Sequence, residues 1–148
     1  MANTYTQFLY HFVFSVKNRT PSISIDRERE LYGYIHGIHE KLGCHSYRIG
    51  GDKDHIHVLN SLPSTLAPAT YLEKMKSATT NWIRKNAVFD AWPGWQDGYG
   101  GFTESWDRKD ELIEYIRNQK EHHKHEDFLT EYRRLLEERG IKYDERYL

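Results

Sequence analysis

Three features of the sequence predict an α+β fold: an apolar–aromatic alternation at residues 5–17, a helix pattern at about 26–42 leading into a hairpin, and a second helix followed by a strand by residue 104. The order strand–helix–strand–strand–helix–strand is that of the split βαβ, ferredoxin-like or RRM-like sandwich, in which an antiparallel sheet carries two helices on one face. Two further helices follow. The expected organisation is one domain over 1–148, with a core at about 5–105, a tyrosine-bearing helix at about 107–123 and a tail helix at about 127–139.

In the first strand, Phe8, Tyr10, Phe12, Phe14 and Val16 share one face, while Gln7, Leu9, His11, Val13 and Ser15 make a more mixed opposite face. The first helix rests on Leu31, Tyr34, Ile35, Ile38 and Leu42, spaced for one face of a 3.6-residue period, with Gly43 where a C-terminal glycine belongs. Residues 44–50 and 54–61 read as strands joined by a tight turn at Gly50-Gly51-Asp52-Lys53. The second helix, about 68–86, has Leu72, Met75, Thr79 and Trp82 on its expected buried side. Residues 95–104 read as a strand interrupted by glycines, the mark of a bulge or a close backbone approach.

Composition narrows the function. At 148 residues, 38% hydrophobic and 29% charged, the chain is long enough for a core without disulfide or metal staples. The lone Cys44 allows no internal bridge or thiolate cluster, and the chain opens on no basic-then-apolar leader; both fit a bacterial or archaeal cytoplasm, beside the nucleoid. No apolar stretch approaches a membrane span. The net charge of −1 argues against a purely electrostatic grip on duplex DNA. Nine histidines are the surplus to be explained.

Two of them form a pattern. In Asp54-His55-Ile56-His57-Val58-Leu59, the strand period sends both imidazoles to one face and Ile56 and Val58 to the other. If the apolar pair faces the helices, the histidines point out of an open sheet face, their Cα atoms about 6.6 Å apart, near enough to share an ion. Two ligands do not make a site, and two strand histidines satisfied by hydrogen bonds would read the same way. In the third helix, Leu112, Ile113 and Ile116 make the core stripe, while Glu111, Tyr115, Gln119 and His122 make a second, mostly polar one. Tyr115 and Gln119 are thus one turn apart; a core tyrosine with its hydroxyl in solvent would fit as well. His122, His123 and His125 read as a solvated helix end.

Taken together, Tyr10-His11-Phe12-Val13-Phe14-Ser15-Val16-Lys17-Asn18-Arg19, His55-Ile56-His57, Trp95 to Phe102, Tyr115-Ile116-Arg117-Asn118-Gln119 with Glu121-His122-His123, and the tail Gly140 to Tyr147 resemble the single-tyrosine HUH transposases of the small bacterial insertion sequences, the IS200/IS605-like family. The resemblance implies cleavage and rejoining of single-stranded DNA beside imperfect hairpins, with Tyr115 as nucleophile and His55, His57 and Gln119 holding one divalent metal ion. It also implies a homodimer in which the tyrosine helix can complete the partner's histidine site. A domesticated relative that processes repeat hairpins, or a non-catalytic nucleic-acid binding module, are the alternative readings.

Two imidazoles and a carboxamide with open positions suit Mg²⁺ or Mn²⁺, imidazole favouring Mn²⁺; zinc stays open. A transesterification conserves bond energy and needs no ATP, in keeping with the lack of a G-x-x-x-x-G-K-[ST] segment. For phosphate contacts the candidates are Lys17 and Arg19 after the first strand, and Lys74, Asn81 and Lys85 on one stripe of the second helix; an ordinary solvated helix face would look the same. Trp92, Trp95, Tyr99 and Trp106 are candidate stacking platforms for unpaired bases.

Overall fold

A computed structural model describes residues 3–148. Four strands, β1 (Leu9–Ser15), β2 (His45–Asp52), β3 (His55–Ser61) and β4 (Gly100–Thr103), form one sheet in the order β2-β3-β1-β4. Each neighbouring pair is antiparallel. Helices α1 (Glu28–Leu42) and α2 (Pro68–Asn86) follow β1 and β3, as the split βαβ order requires. After β4 come α3 (Lys109–Arg117), the single turn α4 (Gln119–His122) and α5 (Phe128–Glu138).

The alternation in β1 and β3 divides the molecule into two layers. Phe12, Phe14, Ile56 and Val58 face α1 and α2 and share one core with Leu31, Ile35, Tyr71, Leu72, Met75 and Ile83. Helix ends obey local rules: Pro68 opens α2 where its missing N–H costs nothing, and Gly43 closes α1 at φ 75°. The opposite sheet face carries Leu9 and Leu59 against Leu112 and Ile116 of α3, and Val13 and Phe102 against Phe128, Tyr132, Leu135 and Leu136 of α5. This second face is therefore not open. The C-terminal helices cover it, and His55 and His57 are fully buried.

Several boundaries differ from the sequence expectation. The first strand spans 9–15 rather than 5–17: residues 3–8 are exposed, and past Ser15 only Val16 keeps an isolated bridge, to Trp95. The hairpin turn is Lys53-Asp54, because Asp52 already pairs with His55; Gly50 and Gly51 lie inside β2, opposite His57 and Ile56. At Gly50 the absent side chain makes room for α3, since a Cβ there would sit 2.7 Å from the Ile116 carbonyl oxygen. The tyrosine-bearing helix is interrupted at Asn118, whose ψ of 17° leaves the helical range. Trp92 and Trp95 are core residues whose indole N–H groups donate to Thr80 and Thr79, so they are not stacking platforms; Trp106 is half exposed and Tyr99 partly buried.

The close approach at Gly50 gives a stability test. Gly50→Ala should destabilise the protein by about 1–3 kcal/mol, because the Ile116 backbone must move. Gly33→Ala, in the interior of α1 with nothing within 4 Å of the new methyl, should stabilise it by roughly 0.5–1 kcal/mol. Urea unfolding of the two variants beside wild type measures both, and a Gly50→Ala midpoint equal to wild type would show that α3 does not rest on β2.

Candidate active site

Four elements meet over the covered sheet face. Strand β3 contributes His55 and His57, α3 Tyr115, α4 Gln119, and α5 Glu131. His55 Nε2 lies 2.8 Å from Gln119 Oε1, and His57 Nε2 lies 3.1 Å from Glu131 Oε1. The Gln119 amide donates to Glu131 Oε2 at 3.0 Å. The Tyr115 hydroxyl donates to the same Oε2 and accepts from the Arg134 guanidinium at 3.1 Å. The two histidines, Tyr115 and Gln119 picked out from the sequence therefore converge, and they do so within one chain.

The outer ring nitrogens of the two histidines are also held. Asp54 Oδ1 lies 2.8 Å from His55 Nδ1, and His11 Nε2 lies 2.8 Å from His57 Nδ1. Such contacts fix the ring planes. His11 comes from the mixed face of β1. It is fully buried, its Nδ1 makes no hydrogen bond, and the nearest carboxylate oxygen, Glu104 Oε1, is 3.9 Å away. Burial, reinforced by His57 alongside, pushes the His11 pKa well below its ordinary value, so the ring is neutral.

The carboxylate at the centre was not anticipated. Burial alone would raise the Glu131 carboxyl, but His57, His123 and His55 around it hold it far below the usual carboxylate range. Its position on α5 is the unused signal: Phe128, Glu131, Tyr132, Leu135 and Leu136 share the buried stripe, and an acid in an apolar stripe needs a buried partner. His123 also departs from expectation. Instead of belonging to a solvated helix end, its side chain is 4% exposed, with Nε2 3.0 Å from Glu131 Oε1 and 2.9 Å from Gln119 Oε1. Burial disfavours the charged His123 ring, but the bond to Glu131 more than offsets this and raises its pKa. His125 stays exposed, and His122 pairs with Glu126 at 2.6 Å.

Solvent reaches Tyr115 through a cleft of about 200 Å³ bordered by His11 and by Arg108, Arg134 and Arg139. The cations predicted from sequence lie elsewhere. Lys74, Asn81 and Lys85 are exposed on α2, across the sheet from Tyr115. Lys17 and Arg19 are exposed just after β1, and Arg19 donates to the Leu148 carbonyl at 3.0 Å. Lys76, one position off the α2 stripe, instead caps the carbonyls of Gln96 and Gly98, and burial lowers its pKa to about 8.

A split βαβ sheet whose histidine pair meets a helix-borne tyrosine is the arrangement that the resemblance to the single-tyrosine transposases leads one to expect. The family model described as "Transposase IS200 like" matches residues 4–119, and the chain belongs to that family. Two solved structures share the fold. One is a protein of Deinococcus radiodurans R1 classed as a transposase, 18% identical, with a TM-score of 0.62 over 80% of this chain and 96% of that one. The other is a REP-associated tyrosine transposase bound to a REP hairpin, 13% identical, with a TM-score of 0.62 over 83% of this chain and 74% of that one. No functionally curated protein matches the chain in sequence. Among the described residues, no helix is long and apolar enough to cross a membrane.

The buried neutral His11 gives a test by proton linkage. Its folded pKa lies below the unfolded value of 6.5, so its contribution to stability is complete above pH 6.5 and is lost as the pH falls below it, where only the unfolded chain takes up the proton. The stability of wild type relative to His11→Gln should therefore fall between pH 6.5 and 5, by up to about 1.4 kcal/mol per pH unit. Equal pH slopes in urea unfolding would contradict a neutral buried ring.

Proposed function

We propose that this chain cuts and rejoins single-stranded DNA through Tyr115, at sites beside imperfect hairpins. The observation that carries this reading is the meeting of the Tyr115 hydroxyl and the His55–His57 pair on one carboxylate, Glu131, in a chain of the IS200-like transposase family. A nucleophile placed against candidate metal ligands is what a phosphodiester requires and what a mere binding module does not. The hairpin in the REP-associated relative is the model for the substrate.

In the reaction, the Tyr115 oxygen bonds to phosphorus, the bond from phosphorus to the 3′ oxygen breaks, and the products are a 5′-phosphotyrosine and a free 3′-hydroxyl. Glu131 Oε2 orients the phenolic hydroxyl through its hydrogen bond, the phenolic proton passes to water as the new bond forms, and the departing 3′ oxygen takes a proton from water. Burial and the adjacent Glu131 charge raise the Tyr115 pKa above that of an ordinary tyrosine, so the resting side chain is a neutral phenol. Arg134 works the other way, donating to the phenolic oxygen and stabilising the phenolate once formed. His55, His57 and Gln119 are the residues to hold one divalent ion, Mg²⁺ or Mn²⁺, and their donor atoms fit it: two imidazole nitrogens and an amide oxygen, with the histidines' outer nitrogens braced by Asp54 and His11. When bound, the ion neutralises a non-bridging phosphate oxygen and steadies the leaving oxygen.

For the DNA, Arg108, Arg134 and Arg139 border the path to Tyr115 and are the nearest phosphate contacts. Lys17 and Arg19, and on the far side Lys74, Asn81 and Lys85, are proposed contacts for more distant phosphates of a hairpin. A homodimer, with tyrosine helices exchanged or retained, belongs to the same proposal, as does action in the cytoplasm.

The test is a single-stranded oligonucleotide carrying the element's own end and hairpin, incubated with the protein and Mn²⁺. Wild type should give a covalent protein–DNA adduct on a denaturing gel, and Tyr115→Phe should give none while still binding the hairpin. His57→Ala should cut at least roughly a hundredfold more slowly. An undiminished adduct from Tyr115→Phe would remove the nucleophile, and hairpin binding with no adduct from wild type would favour a binding module.

A further inference from the structure

The side of α3 turned away from Tyr115 carries groups that the cleavage chemistry leaves unused. Lys109, Ile113 and Arg117 recur there at i, i+4 and i+8, along the edge strand β2. Trp106, in the turn before α3, is 48% exposed, and its ring meets that of Tyr47 edge-on with the centroids 5.7 Å apart. Lys109 Nζ sits 4.3 Å from the Trp106 centroid and 5.7 Å from that of Tyr47, so it covers one face of the indole. Further along, Arg48, Arg117 and Lys120 border a cleft of about 280 Å³, with Arg29 of α1 beside them and Glu28 as the acid among them. Lys120 pairs with Glu28 at 2.7 Å and Arg117 with Glu114 at 3.2 Å. Arg29 and Arg48 bond nothing. Among the described residues every other arginine has a carboxylate or carbonyl partner.

A bulge in β2 assembles this strip. Ser46 lies opposite Asn60 and Arg48 opposite Leu59, so Tyr47 is an extra residue in the ladder. Ser46 bonds His39 of α1, and Ile49 packs in the core under α1 and α2. With both flanking residues on that side, the extra residue leaves Tyr47 and Arg48 together on the α3 side. Strict alternation would have separated the aromatic ring from the guanidinium.

We infer that this outer groove, between the β2 edge and α3, is a track for single-stranded DNA: Tyr47 and Trp106 stack on unpaired bases, while Arg29, Arg48, Arg117 and Lys120 hold phosphates. The inference rests on reading the chain as one that acts on single-stranded DNA, and it names the surface along which that strand lies. Charge selects a polyanion, since four cations share the cleft with one acid in a chain of net charge −1. The aromatic pair selects a single strand, because stacking needs a bare base face and a duplex hides it. The track joins the reaction site at its Trp106 end. Arg108, between Trp106 and Lys109 in the chain, borders the cleft that leads to Tyr115. From there to Lys120 the groove runs roughly 20 Å, at about 1.5 Å per helical residue.

The experiment is fluorescence anisotropy of a labelled oligothymidylate of about 16 nucleotides with the full chain, in EDTA so that no cleavage intervenes. Wild type should bind it at least roughly fivefold more tightly than a mixed-sequence duplex of the same length. Arg29→Gln combined with Arg48→Gln should weaken binding about tenfold or more. It should also lower the slope of log affinity against log salt by about 1.4, two contacts at about 0.7 each on a single strand. Trp106→Ala should weaken binding roughly fivefold or more with the slope unchanged, and Trp106→Phe should restore most of the loss. Lys41→Gln combined with Lys142→Gln, at exposed positions outside the groove, should bind like wild type. An unchanged affinity in the Arg29/Arg48 variant or in Trp106→Ala would overturn the track, as would an equal loss from the Lys41/Lys142 variant. Equal affinity for the duplex would overturn the single strand as occupant, and polyglutamate competing as well as the oligonucleotide would assign the groove to an acidic protein instead. Because binding is read without metal or cleavage, the result is independent of Tyr115. Binding intact with no adduct on the hairpin substrate would remove the nucleophile and keep the groove; an adduct from a wild type that ignores oligothymidylate would do the reverse.

Discussion

Glu131 is a carboxylate held out of water, and the arrangement of the second sheet face follows from what that requires. An ionised acid moved into a protein interior costs several kcal/mol unless its oxygens are matched. Here Oε1 has His57 and His123, and Oε2 has the Gln119 amide and the Tyr115 hydroxyl. Those partners come from β3, α3 and α4, so the charge ties three elements to α5. The apolar contacts around it supply the opposing energy. Phe128, Tyr132, Leu135 and Leu136 are all nearly fully buried, and burial of such side chains is worth about 1.5–3 kcal/mol each. Packing holds α5 on the sheet; Glu131 decides what α5 brings with it.

The sheet contributes rigidity at the scale the chemistry needs. His55 and His57 sit on a central strand, with β1 and β2 on either side, so neither ring can shift without disturbing a ladder. Val13 lies opposite His57 in the β1–β3 register, and that register places His11 diagonally across from it, close enough for the two rings to meet. On the β2 side, Gly50 lets the backbone of α3 approach at Ile116, one residue after Tyr115. Tyr115 is thus positioned by a missing side chain as much as by those present.

What the sequence disclosed divides along physical lines. Periods of 2.0 and 3.6 residues are local, so the strand order, the shared face of His55 and His57 and the shared stripe of Tyr115 and Gln119 could all be read directly. Glu131, His123 and His11 depend on contacts between elements distant in the chain. The acid of α5 betrays itself by interrupting an apolar stripe, but the stripe does not say which partner it meets. His123 turns inward because the chain reverses between α4 and α5, with Asp127 capping the new helix through the Thr130 N–H at 2.8 Å. A run of histidines at a helix end carries no trace of that reversal. The glycines at 50 and 51 point to a turn in the sequence yet lie inside β2 for a related reason, since glycine marks a turn and a close approach equally well, and only the tertiary structure separates the two.

Charge completes the argument. The chain has a net charge of −1, and the arginines bordering the path to Tyr115 are already engaged with acids: Arg134 with Glu126 and Glu138, Arg139 and Arg108 with Glu104. At the centre, Glu131 adds a negative charge among imidazoles of which His11 and His57 are held toward the neutral form by burial. Each arginine bordering that path is thus already paired with a carboxylate. In the function proposed above, a divalent ion held by His55, His57 and Gln119 would reverse that sign at the reacting phosphate, while Glu131 Oε2 holds the Tyr115 hydroxyl in place. A near-neutral protein can then handle a polyanion with positive charge confined to the outer groove and the point of reaction.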